Sequence, residues 1–314
     1  MKYINTAPNF SIIVPGGCNA KCEFCFWDRD PLKIKEGSGY AKNLSNVLEN
    51  LPSCFKTISI TGGEPTASKS LSKVLACIEI HRARFDRVIL TTNGYKIEKI
   101  APSLRGIVDY VNLSRHDVDN NINQNIFKSE TVPNDLQLEQ AIFELNQVGI
   151  PVTLSKVISD TDTKVNIYQY IEFAKSVGAT SVFFRKPHGN LDPHPIELNF
   201  ANLYTREHGC PVCLSMHQII KGMPVEWKRG LLEPSTVGYH ELIMQASGKT
   251  TLDWDGKLPI TMAKIYEIFE PKKTATKTKV PYFNKKPLNI ISTSTGCGGF
   301  SGGCGGGGSR GGCG

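Results

Sequence analysis

No stretch of the chain approaches the roughly 20 consecutive apolar residues of a membrane-spanning helix, which excludes a helical membrane anchor from the reading. Residues 1–10 lack the charged-then-apolar pattern of a secretory leader, so the expected location is the cytoplasm. Acidic residues are the scarcer charge, 29 against 36 Lys and Arg, leaving a net charge of +7. That excess is too small to argue for nucleic acid, although it suits an acidic partner. The last stretch, 296–314, has almost nothing a core could use. Twelve of its residues are glycine, so the expectation there is a disordered tail.

Cysteine, by contrast, is plentiful, with ten in 314 residues. In a chain expected in the cytoplasm such usage points to metal or redox chemistry before disulfides. Three of the ten stand together in Cys18-Asn19-Ala20-Lys21-Cys22-Glu23-Phe24-Cys25, a C-x3-C-x2-C spacing. Thiolates on a tight loop are the usual ligands of iron–sulfur clusters. Four would close a [4Fe–4S] cluster, whereas three leave one iron open, and an open position is where a metal centre does chemistry. A zinc loop is the competing reading of the same residues.

Elsewhere, short β-branched runs alternate with helical periodicities. Phe10 to Val14 reads as a first strand, stopped by Pro15-Gly16-Gly17, so the cysteine loop follows a strand end. Further strands are expected near 57–60, 87–90, 109–114, 151–157 and 181–184. Between them, stripes such as Leu138, Ile142 and Leu145 mark helices. Asn134 and Thr163 are placed to open two helices, and Gly149 and Gly178 to stop them. Six strand–helix units in about 180 residues demand a parallel sheet with right-handed crossovers. Sites in such folds gather at the carboxyl ends of the strands.

At those ends stand Gly62-Gly63-Glu64-Pro65 after the second strand, Thr92-Asn93-Gly94 after the third, and Ser114-Arg115-His116 after the fourth. Glycines let backbone approach a ligand closely, and carbonyls beside a carboxylate can hold an ammonium group. Ser155 and Lys156 on the fifth strand, and Arg185 ending the sixth, are polar residues in apolar strands. A buried cation there needs an anionic partner, with Arg185 favoured over Lys156. The Asn- and Asp-rich stretch 116–133 is expected to be a long loop that touches substrate through His116, Asp117 and Asp119, or that moves.

The three-cysteine spacing with Phe24 before its last thiol, followed one unit later by Gly62-Gly63-Glu64-Pro65, resembles the radical S-adenosylmethionine (SAM) superfamily. The resemblance implies an α/β fold, a partial (β/α)6 TIM-like barrel, over about 11–187. It implies a [4Fe–4S] cluster on Cys18, Cys22 and Cys25 and SAM on the open iron. It also implies reductive cleavage to a 5′-deoxyadenosyl radical, which abstracts hydrogen from substrate. Gly62, Gly63 and Glu64 are then expected at the amino group of SAM, Ser114 at its ribose, and Arg115 or Arg185 at its carboxylate. Phe24 and Asn93 are expected within reach of the same ligand. A flavodoxin- or ferredoxin-like electron donor is the implied partner. No residue is assigned to the abstraction step itself.

The expected divisions are a core at 1–189, a small α+β extension at 190–268, a Lys-rich linker at 269–295 and the tail. In the extension, Cys210 and Cys213 read either as half of a metal site or as structural thiols. A hairpin is expected across 250–260, around Asp255-Gly256. The cysteines are too few for the SPASM or twitch extensions of peptide-modifying members. Cys297, Cys304 and Cys313 leave three readings of the tail: a plain tail, a lid bringing thiols to a cluster, or a fused peptide resembling the substrate. A peptide or protein is the leading substrate class. A nucleotide, a small metabolite or a partner enzyme to be activated is the alternative, and a non-catalytic iron–sulfur or zinc scaffold is the reading from another class.

Overall fold

The protein is described by a computed structural model, which covers residues 7–25, 35–187, 207–208, 215–228 and 239–270. Six parallel strands form its centre: β1 (Asn9–Val14), β2 (Thr57–Gly62), β3 (Arg87–Thr92), β4 (Tyr110–Ser114), β5 (Val152–Val157) and β6 (Ser181–Arg185). They pair in chain order, as one-directional crossovers require. The helices between them are α1 (Tyr40–Asn50), α2 (Leu71–His81), α3 (Ile97–Leu104), α4 (Asn120–Phe127), α5 (Asp135–Gln147) and α6 (Lys164–Ser176).

Local chemistry explains the boundaries. Asn134 and Gln137 form a reciprocal capping box at α5, and Thr163 and Asn166 another at α6. Past the far ends of these two helices, Gly149 and Gly178 take φ of 79° and 83°, the left-handed geometry that releases the chain toward the next strand. Arg84 gathers orphan carbonyls at the end of α1, donating to Leu48, Glu49 (2.7 Å) and Leu51 (2.5 Å).

Alternation along the strands divides the sheet into two faces. One, with Phe10, Ile12, Ile58, Ile60, Val88, Leu90, Val111 and Leu154, packs under the helices as a single large core. The opposite face is mixed: Ile13 and Ile243 form a small second apolar cluster, and the rest is largely polar. There Ser11 Oγ donates to Glu241 (2.6 Å), Ser59 Oγ donates to Asn9 (3.0 Å), and Thr153 and Ser181 bond each other (2.6 Å). Hydrogen-bonded polar pairs on a sheet face opposite the helices suit a partial barrel whose inner wall receives a ligand.

The C-terminal segment builds no separate sheet among the described residues. β9 (Met223–Lys228) pairs in parallel with β6, and β8 (Met216–Ile220) and β7 (Glu207–His208) follow antiparallel. At the other edge β10 (Glu241–Met244) pairs in parallel with β1, and β11 (Thr250–Thr251) lies outside it. The sheet therefore has eleven strands, with both edges of the six-stranded centre covered. The expected hairpin across 250–260 is present in short form. Thr251 bridges Pro259, and Gly256 takes φ 73°. α7 (Met262–Phe269) returns to the bottom of β2, where Phe269 meets Phe55 and Glu270 accepts from Ser53 N (2.8 Å). Cys210, Cys213, most of the Lys-rich linker and the whole glycine-rich tail lie outside the described residues.

Candidate active site

β1 ends at Val14, and Pro15-Gly16-Gly17 carries the chain over the carboxyl ends of the strands into the cysteine loop. Cys18 and Cys25 are exposed and Cys22 is half-buried. Two bonds give the loop its turn: Ala20 N donates to Cys18 Sγ (3.4 Å), and Cys25 N to Cys22 O (3.3 Å).

The turn after β2 lies directly against this loop. Glu64 N donates to Gly17 O at 3.1 Å. A Cβ on Gly63 would sit 2.6 Å from that same oxygen and 3.1 Å from Cys18 N, so only glycine allows the approach. Gly62 takes φ 140°, a backbone shape that side chains disfavour.

Glu64 itself is buried, at 2 % exposure. Its Oε1 accepts from Thr66 N (2.9 Å), Thr66 Oγ1 (2.7 Å) and Thr92 Oγ1 (2.5 Å), and its Oε2 from Asn93 N (2.6 Å). Burial pushes its carboxyl above the usual range, while these donors pull it back. The carboxylate thus fastens the end of β2 to the end of β3. Asn93 is similarly engaged, its Nδ2 donating to Asn19 Oδ1 in the cysteine loop (2.8 Å). Both residues shape the loop from beneath.

Arg115 corrects the expectation that it meets the carboxylate of SAM. It is 1 % exposed and spends all five guanidinium donors inside the protein. Nε donates to Asp117 O (2.7 Å), Nη1 to Pro133 O (3.1 Å) and Asn120 Oδ1 (3.4 Å), and Nη2 to Val118 O (3.1 Å) and Asp135 Oδ1 (2.6 Å). Lys156 is also committed, paired with Asp162 at 3.1 Å and donating to His116 O. Arg185 differs from both. Its Nε is buried with no hydrogen-bond partner, and burial lowers the pKa of its guanidinium while Cys25 and Cys22 act more weakly the other way. Ser114 is half-buried at the end of β4, in register with Ser155.

The stretch 116–133 corrects a second expectation. It carries a helix, α4, capped by Asp119, whose side chain accepts from Asn121 N (2.8 Å) and Ile122 N (2.9 Å). Asp117 and Asp119 serve this local architecture, Asp117 accepting from Asp119 N. The ring of His116 lies between Phe24 (4.8 Å between centroids) and Phe127 (4.7 Å). Its Nδ1 accepts from Val157 N at 3.2 Å.

The thiol arrangement bears on what the loop can hold. Among the described residues, no three Cys, His, Asp or Glu side chains converge as ligands of one ion. Cys18, Cys22 and Cys25 on one turn supply three of the four ligands that a cuboidal cluster takes. The three thiols, the close glycine turn and the unpartnered Arg185 Nε fit a cluster with an anionic ligand beside it.

A family model described as the Radical SAM superfamily matches residues 12–174. The GTP 3',8-cyclase of Helicobacter pylori is 28% identical over 164 residues, 51% of this chain and 49% of that protein. A probable GTP 3',8-cyclase of Saccharolobus islandicus is 24% identical over 200 residues, covering 61% of this chain and 58% of the other. The chain spans about half the length of the curated relatives it matches. Among solved structures, Streptococcus suis SuiB bound to S-adenosylmethionine superposes with a TM-score of 0.57 at 15% identity, over 81% of this chain and 61% of that one. At that identity the likeness is one of fold.

Proposed function

The chain belongs to the radical SAM superfamily, and from that premise we propose that it cleaves SAM reductively and takes a hydrogen atom from a peptide or protein substrate. Cys18, Cys22 and Cys25 are the residues that would hold a [4Fe–4S] cluster, which when bound supplies one electron for cleavage of SAM to methionine and a 5′-deoxyadenosyl radical. The carrying observation is the approach of Gly63 to Gly17 and Cys18, which joins two motifs from separate strand ends into one cradle. In this reading the backbone of Gly62 and Gly63 orients the amino end of SAM. Arg185 offers its unpartnered Nε to the carboxylate, as a charge-assisted bond. Ser114 faces the ribose, and Phe24 supplies an apolar surface at the third thiol. The polar wall of the sheet positions substrate and keeps bulk water from the reacting carbon.

The peptide reading draws support from that wall. In register along β3 to β5 stand Thr91, Asn112 and Thr153, and along β4 to β6 Ser114, Ser155 and Phe183. Hydroxyls and amides of this kind suit the amides of a peptide. A nucleoside triphosphate needs several cations, and at the strand ends the described wall offers Arg185 and its register partner Lys228. The nucleotide reading has its own support in the relatives named GTP 3',8-cyclase. A flavodoxin- or ferredoxin-like protein is the proposed electron donor, and the cytoplasm the proposed location. No helix among the described residues is long and apolar enough to cross a membrane.

The test is anaerobic reconstitution with iron and sulfide, followed by SAM and dithionite. Release of 5′-deoxyadenosine, abolished by Cys22→Ala, is the expected result. Bound iron with no 5′-deoxyadenosine from either protein would leave the scaffold reading. GTP and a synthetic peptide of residues 296–314 are then compared as stimulants, and stimulation by GTP alone selects the nucleotide reading. Peptide mass shift is read alongside.

A further inference from the structure

Six consecutive residues separate Cys18 from Cys25, and every one of them touches the stretch 116–132. Asn19 Nδ2 donates to Thr131 Oγ1 (2.8 Å). Ala20 packs with Phe127 and Val132, and Cys22 lies against the same group. Lys21 N donates to Phe127 O (2.7 Å). Glu23 pairs with Lys128 (2.5 Å), and Phe24 meets the edge of His116 (4.8 Å).

The stretch is itself braced from behind. Arg115 ties both of its ends, bonding Asp117, Val118 and Asn120 on one side and Pro133 and Asp135 on the other. Asn123 Oδ1 accepts from His116 N (2.8 Å), and Tyr170 OH donates to Arg115 O (2.7 Å). His116 O takes the ammonium of Lys156, whose charge Asp162 balances. These bonds run between buried groups and join β4, β5 and α6. Such a braced polar network is rigid because each member is satisfied.

We propose that residues 116–133 form a preset mould for the cysteine loop, with Arg115, His116 and Phe127 as its positioning residues. The mould holds residues 19–24 in the cluster-receiving shape before any iron arrives, and it slows loss of the cluster afterwards. A loop ordered in advance loses less entropy when it takes its ligand, and the ligand then leaves more slowly. This inference rests on the radical SAM reading for its second half only.

Two variants test it. Phe127→Ala removes the apolar contact and the tilted ring contact with His116 at once. The double change Lys128→Ala with Thr131→Val cuts two surface links and leaves the core alone. In the cluster-free chain, hydrogen exchange at the Lys21 amide is expected to be slow. It should speed up at least tenfold in Phe127→Ala and by a smaller factor in the double variant. In the reconstituted protein, iron loss to a chelator should speed up in the same order, and the reduced cluster's electron paramagnetic resonance signal should shift. Phe143→Ala, on the exposed side of α5, is the control for general destabilisation. Wild-type exchange at Lys21 and wild-type iron loss in both variants would overturn the mould. Should Phe127→Ala fail to fold, the double variant decides. Absence of iron uptake by the wild-type chain would sink the radical SAM reading instead, and Lys21 exchange would still judge the mould.

Discussion

Arg185 and Lys156 are cations on neighbouring strands, and the fold treats them differently. Lys156 has a buried anionic partner in Asp162, while Arg185 has a buried donor with none. Replacing Lys156 with Met strands the carboxylate of Asp162, a loss of about 3–5 kcal/mol in stability. SAM affinity should barely change among molecules that remain folded. Arg185→Met should show the reverse, with a melting temperature near wild type and SAM affinity down about 10- to 100-fold, from a charge-assisted bond of about 1.5–3 kcal/mol. Equilibrium binding and thermal melts of the two variants check the pair. A shared pattern would contradict the division. His116 gives a pH dependence. Burial, with Arg185, Lys156 and Arg115 close by, holds its pKa well below the ordinary 6.5. The unfolded chain therefore binds a proton that the folded chain refuses. Stability from this residue is full above pH 6.5 and falls as pH drops below it, by up to about 1.4 kcal/mol per pH unit. Urea unfolding of the cluster-free chain at pH 7.5 and 5.5 should show a steeper loss in wild type than in His116→Gln.

At the scale of elements, α4 is the piece whose presence matters most and whose intrinsic stability is least. It has eight residues, four of them Asn and none of them Ala or Leu, and helices so short are marginal alone. Its start depends on the cap at Asp119, which answers two amides. Asp119→Ala should cost about 1 kcal/mol. The loss should appear first as faster amide exchange at Asn121 and Ile122, ahead of any change in the global melt. The contrast with α5 and α6 explains why sequence reading found those two and missed α4. Asn134 and Thr163 announce their helices, and Leu138, Ile142 and Leu145 give α5 a buried stripe. In α4 the helical signal is a single cap followed by asparagines, a composition that reads as loop. Tertiary contacts with the cysteine loop and the Arg115 brace supply what propensity withholds.

At the scale of the whole molecule, the added strands cover both edges of the six-stranded centre. β10 covers β1, the strand that delivers the cysteine loop, and Glu241 on β10 accepts from Asn9 (3.1 Å), Ser11 (2.6 Å) and Trp254 Nε1 (3.1 Å). Truncation after residue 228 removes β10, β11 and α7 together. It exposes an edge of apolar β1 and leaves Asn9 and Ser11 without that acceptor. The shortened chain should be aggregation-prone and retain little iron after reconstitution, as measured by size-exclusion chromatography and metal analysis. A monomeric, iron-binding truncation would show that the six central strands suffice.

The sequence by itself determined the six strands, the helices with strong caps, the two motifs and the end of the sheet where they meet. Those follow from local rules: period, capping, and the glycines that only close backbone approach explains. It did not determine which polar residues were free. Ser114, Arg115, Lys156 and Arg185 look alike on a list of polar residues near strand ends. Only packing decided that Arg115 and Lys156 are consumed by partners as far as 20 and 40 positions away, while Arg185 Nε is left with none. The joining of β9 and β10 to opposite edges of the central strands was likewise a tertiary decision. Pairing between strands distant in sequence is set by which edges stand open, and no short window of residues carries that information.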